Sequence, residues 1–267
     1  MPMKLYKVEL LSGLVLMSLS LLSCEQNEPQ GVLGEEKDKA KIIFVNATPN
    51  AATQPAAAQR EIAIWPFYNG IQFNTFPIKF PWSNGYKAFA PGTMVMRFDT
   101  AQSQSNNPPG AAAKVGELTF PTEADRYYSV YSIGTAQQTE FVLLNDDLAL
   151  PTPGKAKVRI MNYSPDSGPL DLFITGGSLA APITLATSLA YKSVKPFFEI
   201  DPGTYTIEFR VAGTPTVVKS KANVIIDKNS CYSIWARGFR TVPSPGNTFG
   251  GYAFDISYHA NRWSNPL

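Results

Sequence analysis

The stretch KVRIMNYSPD, residues 157–166, is informative about the fold, because a closely similar stretch, KIIFVNATPN, occupies residues 41–50. Each begins with Lys and four mostly apolar residues, and each ends with Asn, one variable residue, Ser or Thr, Pro, and Asp or Asn. The apolar run favours a strand, and Asn, Pro and Asp favour the turn that ends it. The repetition predicts the first strand and first turn of a module that occurs twice.

Further landmarks follow in the same order in both halves of the chain. The first half has IAIWPFYNG, APGTMVMRF, YSVYSIG and EFVLLND, and the second has LDLFITGG, DPGTYTIEF, YSIWARG and YAFDISY. The spacing between the two copies matches the length of a β-sandwich domain and is longer than the period of a solenoid repeat. After a leader and a tether, the sequence predicts two domains, residues 41–150 and 151–267, divided at the Pro- and Gly-rich LPTPGKAK.

The composition favours an all-β protein. Pro occurs 22 times, too often for helices of ordinary length. Alternating runs such as YTIEFRV are typical of half-buried strands. We therefore expect two tandem immunoglobulin-like β-sandwiches, with at most a turn or two of helix around residues 183–189.

Two asparagines end the repeated opening stretches. Asn46 precedes Pro49, and Asn162 precedes Pro165. An Asn side chain can close an Asx turn by bonding a backbone N–H nearby, and the proline then blocks further strand pairing. We predict a structural role for both asparagines, with a ligand contact as the alternative.

Two Pro-Gly pairs open later strands. Pro91-Gly92 and Pro202-Gly203 each precede a β-rich run. Proline presets φ at the second position of a type II turn, and glycine takes the positive φ that the third position requires. The sequence therefore predicts a type II turn at each pair.

The landmarks resemble a known family. VRIMNYSPDSGPLDLFITG, FFEIDPGTYTIEFRVAGT and VIIDKNSCYSIWARG together resemble the domain of unknown function numbered 4397, which is common in exported bacterial proteins, including Bacteroidetes lipoproteins. The resemblance covers Lys155 to about Gly238 well. It is weaker from Lys41 to about Asp147, where an aromatic-rich insert replaces the middle. It implies an immunoglobulin-like sandwich of the cell envelope and brings no activity and no catalytic residues.

Residues 1–23 are typical of a bacterial lipoprotein signal peptide. Two lysines precede the apolar run Leu10–Leu22, which is shorter than the ~20 residues of a membrane-spanning helix. The run ends in LLSC, which resembles a lipobox, so Cys24 is the predicted lipidation site. An ordinary secretory signal is the alternative. With residues 24–40 as a flexible tether, we expect a lipid anchor in the outer membrane, on its periplasmic face or at the cell surface.

The net charge and the cysteine content limit the kinds of partner and covalent link that we expect. The formal net charge is +2, and 16% of residues are charged. This charge is too small to predict electrostatic binding of nucleic acid. The chain has two cysteines, so lipidation of Cys24 leaves Cys231 without a disulfide partner. Cys231 lies in an apolar strand pattern and is predicted to be a small buried hydrophobe. No cofactor is expected, since phosphate-binding glycine motifs are absent from the sequence.

Residues for catalysis are sparse. The one histidine, His259, cannot form a His cluster for zinc, and CxxC and GxSxG are absent. We predict no metal site and no enzyme. Paired carboxylates are the alternative, because a glycosidase needs only two. The candidates are Asp146 with Asp147, Glu199 with Asp201, and Asp166 with Asp171. Adjacent acids on a strand point to opposite faces, and turn positions favour Asp without catalysis.

The segment Trp65–Phe89, called here the aromatic segment, is the most unusual part of the sequence. It holds Trp65, Phe67, Tyr68, Phe73, Phe76, Phe80, Trp82, Tyr86 and Phe89. These rings could fill the core and the contact between domains. Alternatively, Trp65, Tyr68, Trp82 and Tyr86 form an exposed surface for a glycan or a protein, because Trp and Tyr offer flat apolar faces with a polar edge.

Three functions follow, in decreasing order of support. The first is a non-catalytic envelope lipoprotein that acts in adhesion or assembly through protein contacts. The second is a glycan-binding accessory lipoprotein of an outer-membrane uptake system, with Trp65, Trp82 and Tyr86 as an exposed shelf. The third is a hydrolase that uses loop carboxylates.

Overall fold

The structure, a computed structural model, describes residues 36–49, 63–100, 114–135, 138–241 and 252–263. Within these ranges the chain is β-structured throughout and contains no helix, as the sequence predicts. The strands are β1 (Ala40–Asn46), β2 (Ala63–Tyr68), β3 (Ile71–Gln72), β4 (Ile78–Lys79), β5 (Lys87–Phe89), β6 (Gly92–Thr100), β7 (Lys114–Thr122), β8 (Tyr127–Gly134), β9 (Thr139–Asp146), β10 (Ala156–Asn162), β11 (Leu170–Gly176), β12 (Ile183–Leu189), β13 (Val194–Ile200), β14 (Gly203–Val211), β15 (Val217–Ile226), β16 (Cys231–Arg237) and β17 (Asp255–Arg262).

The strands form four sheets. Two belong to the first half of the chain, in the orders β5-β1-β8-β9 and β3-β2-β6-β7, with β4 also paired to β2. Two belong to the second half, in the orders β13-β10-β16-β17 and β12-β11-β14-β15. The repeated opening stretches form β1 and β10, which pair in parallel with β8 and β16. The same landmarks therefore occupy the same places in both halves.

The turn before β8 and the turn before β16 also share their backbone geometry. Asp125 and Asn229, each two residues before its strand, both have a φ of 59°. Gly134 and Gly238 stand at equivalent positions near the ends of these strands, with φ of 92° and 76°. A Cβ atom at either glycine would collide with a nearby backbone carbonyl. Glycine is required at both positions for two reasons, the left-handed φ and the close approach.

Three hydrophobic clusters separate the four sheets. One contains Ile42 and Phe44 of β1 and lies between the two sheets of the first half. The second lies between the two sheets of the second half. The third joins Ile43 and Val45 of β1 to Met161 and other residues of the second half. The sheets β5-β1-β8-β9 and β13-β10-β16-β17 are thus the inner layers of a stack, which explains why every residue of β1 is buried.

The structure refines the sequence expectations at two places. Residues 183–189, where the sequence allowed at most a turn or two of helix, form the strand β12, which pairs with β11. Ile183 and Thr184 are β-branched residues that fit this edge position. Ala40, the last residue of the predicted tether, is the first residue of β1 and pairs with Phe89.

The Pro-Gly pairs begin strands but do not form the predicted type II turns. Gly92 and Gly203 are the first residues of β6 and β14. Gly92 has a φ of 136°, far from the 80° or so of a type II turn, and the φ of Gly203 is not positive. Glycine is instead needed at 203 for close packing, because a Cβ there would lie 2.9 Å from the Cα of Gly177. Pro91 and Pro202 directly precede these strands.

Candidate functional site

The two asparagines of the opening stretches are buried and bonded to the backbone. Asn46 Oδ1 accepts the backbone N–H of residue 48 at 3.2 Å, and Asn162 Oδ1 accepts that of residue 164 at 3.1 Å. Each Nδ2 donates to a carbonyl of a different strand, in β4 at 2.9 Å and in β12 at 3.0 Å. Pro49 is buried and Pro165 is half-buried just beyond. This geometry assigns both asparagines to holding the turn and the neighbouring strand.

The exposed aromatic shelf, which was the alternative interpretation of the aromatic segment, is not formed. Trp65 and Tyr68 lie in β2 and are buried, as is Tyr86. The Tyr68 hydroxyl accepts a hydrogen bond from Asn84 Nδ2 at 2.7 Å, and burial raises the pKa of Tyr68. Of the four predicted residues, Trp82 alone is exposed, at 66% of its surface.

A different set of apolar side chains of the aromatic segment faces solvent. Ile71 is 58% exposed, Phe73 46% and Phe76 65%, in addition to Trp82. The aromatic segment contains no acidic residue, and its charged residues are lysines. The sequence-based surface did not include Ile71, Phe73 or Phe76, because only Trp and Tyr combine a flat apolar face with a polar edge. The Asn-Gly turn at residues 69–70 was the available signal for Ile71, which directly follows it on the short edge strand β3.

A buried ion pair lies between the two inner sheets, which the sequence did not predict. The Arg159 side chain, 2% exposed, donates from Nη1 to Asp146 Oδ1 at 2.5 Å. Arg159 also donates from Nε to Ser233 Oγ at 2.8 Å and from Nη2 to Ser129 Oγ at 2.9 Å. The hydroxyl groups of Ser129 and Tyr86 donate to Asp146 Oδ2 at 2.6 and 2.5 Å. We call these five residues the inter-sheet cluster.

Burial and neighbouring charges determine the protonation states of Tyr86 and Arg159 in this cluster. Burial and the Asp146 carboxylate raise the pKa of Tyr86, so its hydroxyl stays protonated and donates. Burial disfavours the charged form of Arg159, but the interactions with Tyr131 and with the Asp146 carboxylate outweigh this effect and raise the pKa of Arg159. Arg159 therefore stays cationic. The hydrogen bond from Arg159 to Asp146 joins β9 of the first half to β10 of the second half.

His259 lies beside this cluster and is not part of it. The Nε2 atom is enclosed and has no hydrogen-bonding partner among the described residues. The imidazole packs against Tyr131 and Trp235, with ring centroids 6.5 and 5.3 Å away. Burial, together with the positive charge of Arg159, lowers the pKa of His259 to about 3. The ring is therefore neutral near pH 7.

We expect His259 to make the protein less stable in mild acid. In the unfolded chain the pKa is about 6.5, so between pH 6.5 and 3 only the unfolded chain binds the proton. The free energy of unfolding should fall by about 2 kcal/mol more in the wild type than in His259→Gln between pH 7 and 4.5. Urea unfolding at both pH values measures this difference. An equal fall in both proteins would show that His259 is protonated in the folded state.

A cleft of about 600 Å³ opens where the ends of β8, β9 and β17 meet. Its lining includes Glu123, Asp125, Asp147 and Arg262. The carboxylates already have basic partners, since Asp125 pairs with Lys41 at 3.3 Å, Asp147 with Lys157 at 3.0 Å and Glu123 with Arg126 at 3.5 Å. The cleft is therefore polar, with its acidic groups engaged within the chain.

The carboxylates considered for hydrolysis have structural contacts. Asp201 pairs with Lys155 at 2.6 Å, and Glu199 accepts the backbone N–H of residue 152 at 2.7 Å. Asp171 accepts the backbone N–H groups of residues 188 and 213 at 2.7 and 2.9 Å, and Asp166 those of residues 240 and 241 at 2.7 and 2.8 Å.

No three His, Cys, Asp or Glu side chains within the described ranges are grouped closely enough to hold a metal ion. Cys231 is buried in the third hydrophobic cluster, and burial raises the pKa of its thiol to about 11. The thiol is therefore protonated near neutral pH and is a poor nucleophile. Cys24 lies outside the described residues. In the part of the chain that the structure describes, no helix is both long and apolar enough to cross a bilayer.

The described chain is an all-β protein with several sheets packed together and four exposed apolar side chains in one irregular segment. Residues 67–173 match the family model of a domain of unknown function, DUF4397. The match runs from β2 into β11 and so crosses from the first half into the second, whereas the sequence resemblance was strongest after residue 155. No curated protein matches the sequence.

Among solved structures, the chain is similar to a Bacteroides fragilis protein described as a candidate cell adhesion protein, at 9% identity and a TM-score of 0.24, covering 86% of this chain and 100% of that one. It is also similar to the fimbrial anchor protein Mfa2 from Porphyromonas gingivalis, at 11% identity and a TM-score of 0.24, covering 84% and 98%. At these scores the likeness carries no conclusion about fold or function.

Proposed function

We propose that this protein is a non-catalytic lipoprotein of the cell envelope that acts in adhesion or assembly by binding a protein partner. The exposed apolar side chains of the aromatic segment carry the proposal. Ile71, Phe73, Phe76 and Trp82 are exposed within one short segment. Exposed apolar residues concentrated in this way mark interaction sites in soluble proteins. The segment's lysines suit a partner with an apolar surface and an acidic rim.

The architecture we propose is two tandem immunoglobulin-like sandwiches, residues 41–150 and 151–267. Equal strand orders and the matching parallel pairs β1–β8 and β10–β16 support a duplicated module. The inter-sheet cluster and the third hydrophobic cluster lie between the two sandwiches. Contacts of this kind favour one stiff unit over two independent domains, so the aromatic segment is held at a fixed place relative to both.

The anchor we propose is a lipid on Cys24, which places the protein at the outer membrane. Labelling of cells with an alkyne fatty acid, followed by purification of the protein, tests this assignment. Wild-type protein should carry the label, and Cys24→Ala should not. Label retained in Cys24→Ala would reject the assignment.

A partner should crosslink to the aromatic segment in living cells. A photoreactive phenylalanine at position 76 should yield a discrete adduct, because Phe76 is exposed within the proposed surface. Position 225 is a matched control, since Ile225 is 56% exposed but lies in the second half of the chain. The double change Ile71→Ser and Trp82→Ser should remove the adduct without lowering the unfolding temperature. Equal adducts at positions 76 and 225 would contradict the proposal.

Glycan binding is the second candidate, because the exposed ring of Trp82 could stack on a sugar. It has less support than protein binding, since the other residues of the predicted shelf are buried. A glycan array with the ectodomain and with Trp82→Ala distinguishes the two. Binding that disappears in Trp82→Ala would favour the glycan.

A further inference from the structure

The first strand of the fold, β1, is held along both of its edges. On one edge it pairs in parallel with β8, from Lys41 beside Tyr127 to Asn46 beside Ser132. The backbone N–H of residue 47 extends this ladder, donating to the Ser132 carbonyl at 2.9 Å. The ladder therefore runs along nearly the whole length of β1.

On its other edge β1 runs antiparallel to residues 82–89 of the aromatic segment. Ala40 pairs with Phe89, and Val45 bridges to residue 83. The backbone N–H of Asn46 donates to the carbonyl of Trp82 at 2.9 Å. The exposed Trp82 thus lies beside the C-terminal end of β1, and the tether joins the N-terminal end at Ala40.

This placement fixes the direction of a pull between the tether and the aromatic segment. The pull would be directed along β1, because its two points of application lie at opposite ends of that strand. It would draw β1 and residues 82–89 from their N-terminal ends in opposite directions, so the two antiparallel strands would slide past each other. It would also slide β1 along β8. In both ladders the hydrogen bonds would be loaded together rather than broken one after another.

We propose that β1 is a load-bearing clamp, which lets the protein hold a bound partner against mechanical force. The inference rests on the proposed function, since the lipid on Cys24 and the partner on the aromatic segment supply the two ends of the load. Other features of the structure fit this role. Every residue of β1 is buried, so water cannot easily compete for its hydrogen bonds. Ile43 and Val45 pack in the third hydrophobic cluster with Trp235, so this face of β1 is packed against the second half of the chain.

Single-molecule pulling in two geometries tests the clamp. The full mature chain carries Cys24→Ser, one handle at its N-terminus, and a second handle on a cysteine introduced by either Trp82→Cys or Ala90→Cys. Both positions are exposed, and the native Cys231 is buried. The handle at position 82 loads β1 in shear. The handle at position 90 lies next to Phe89, which pairs with Ala40, so it opens the ladder from one end.

At equal loading rates, we expect β1 to detach at a force at least about twofold higher with the handle at position 82 than with the handle at position 90. The reason is that the rate of forced unfolding depends on the height of the unfolding barrier along the pulled direction. Both variants should keep the wild-type unfolding temperature, so that only the geometry differs. Equal forces, or a higher force at position 90, would overturn the clamp and leave the crosslinking result at position 76 untouched. Failed crosslinking with a high force ratio would instead reject the proposed function.

Discussion

Arg159→Met is expected to lower the free energy of unfolding by about 3–5 kcal/mol. The substitution leaves the buried Asp146 carboxylate without its cationic partner, and the hydroxyl groups of Ser129 and Tyr86 cannot replace that charge. Removing one partner of a buried pair costs far more than the net contribution of the pair, because the remaining charge stays out of water. Chemical denaturation monitored by tryptophan fluorescence measures the loss. Trp235 is a suitable probe because it is buried in the third hydrophobic cluster, between the same two sheets.

A surface pair between the same two halves is the matched control. Lys192 and Glu140 also join the second half to the first, with N and O atoms 2.6 Å apart, but both side chains are about half exposed. Glu140→Gln should therefore cost less than about 1 kcal/mol. The double change Arg159→Met and Asp146→Asn should recover part of the loss, because it removes both charges. Similar small losses in Arg159→Met and Glu140→Gln would mean that Asp146 is solvated in the native state.

The repeated landmarks could be predicted from the sequence because strands and turns leave local patterns. Alternation in β14 and the Asn-Pro ends of β1 and β10 depend on neighbours within a few residues, and the structure places these elements where the sequence predicts strands. The stacking of the two inner sheets leaves a weaker pattern. It was present in β1, where IIFV is apolar at every position because both faces of the strand are covered.

The ion pair and the exposed side chains depend on contacts between distant residues, which local pattern does not report. Arg159 stands where the first copy has Ile43, and that single difference was the only trace of the buried pair in the sequence. The partner, Asp146, was interpreted as one of two adjacent acids in a candidate site. In the aromatic segment, Tyr86 and Trp82 have similar chemistry, but Tyr86 reaches Asp146 whereas Trp82 points outward. Residue type alone could not separate them.

Asn162→Ala is expected to lower the free energy of unfolding by about 2–4 kcal/mol. The Asn162 Nδ2 group donates to the carbonyls of Leu189 and Gly168 and to Ser167 Oγ, at 3.0–3.1 Å. The Oδ1 atom accepts the backbone N–H of Ser164 at 3.1 Å. Alanine leaves these buried groups without partners, and each unsatisfied group costs more than the hydrogen bond itself contributes. Asn145 is an exposed strand residue, so Asn145→Ala should change the free energy by no more than about 0.5 kcal/mol.

Asn162→Asp separates the two roles of this side chain. Aspartate keeps the oxygen that accepts the N–H of Ser164 but places its second oxygen against the carbonyls of Leu189 and Gly168. These acceptors and the burial disfavour the charged form, so the pKa of the new carboxyl should rise above its unfolded value. Stability is then greatest when the carboxyl is protonated and is lost as pH rises through that pKa. Asn162→Asp should therefore lose more stability at pH 7 than at pH 4.5, relative to Asn162→Ala. A pH-independent difference between these two variants would show that the side chain at 162 reaches solvent and that the turn stands without its amide.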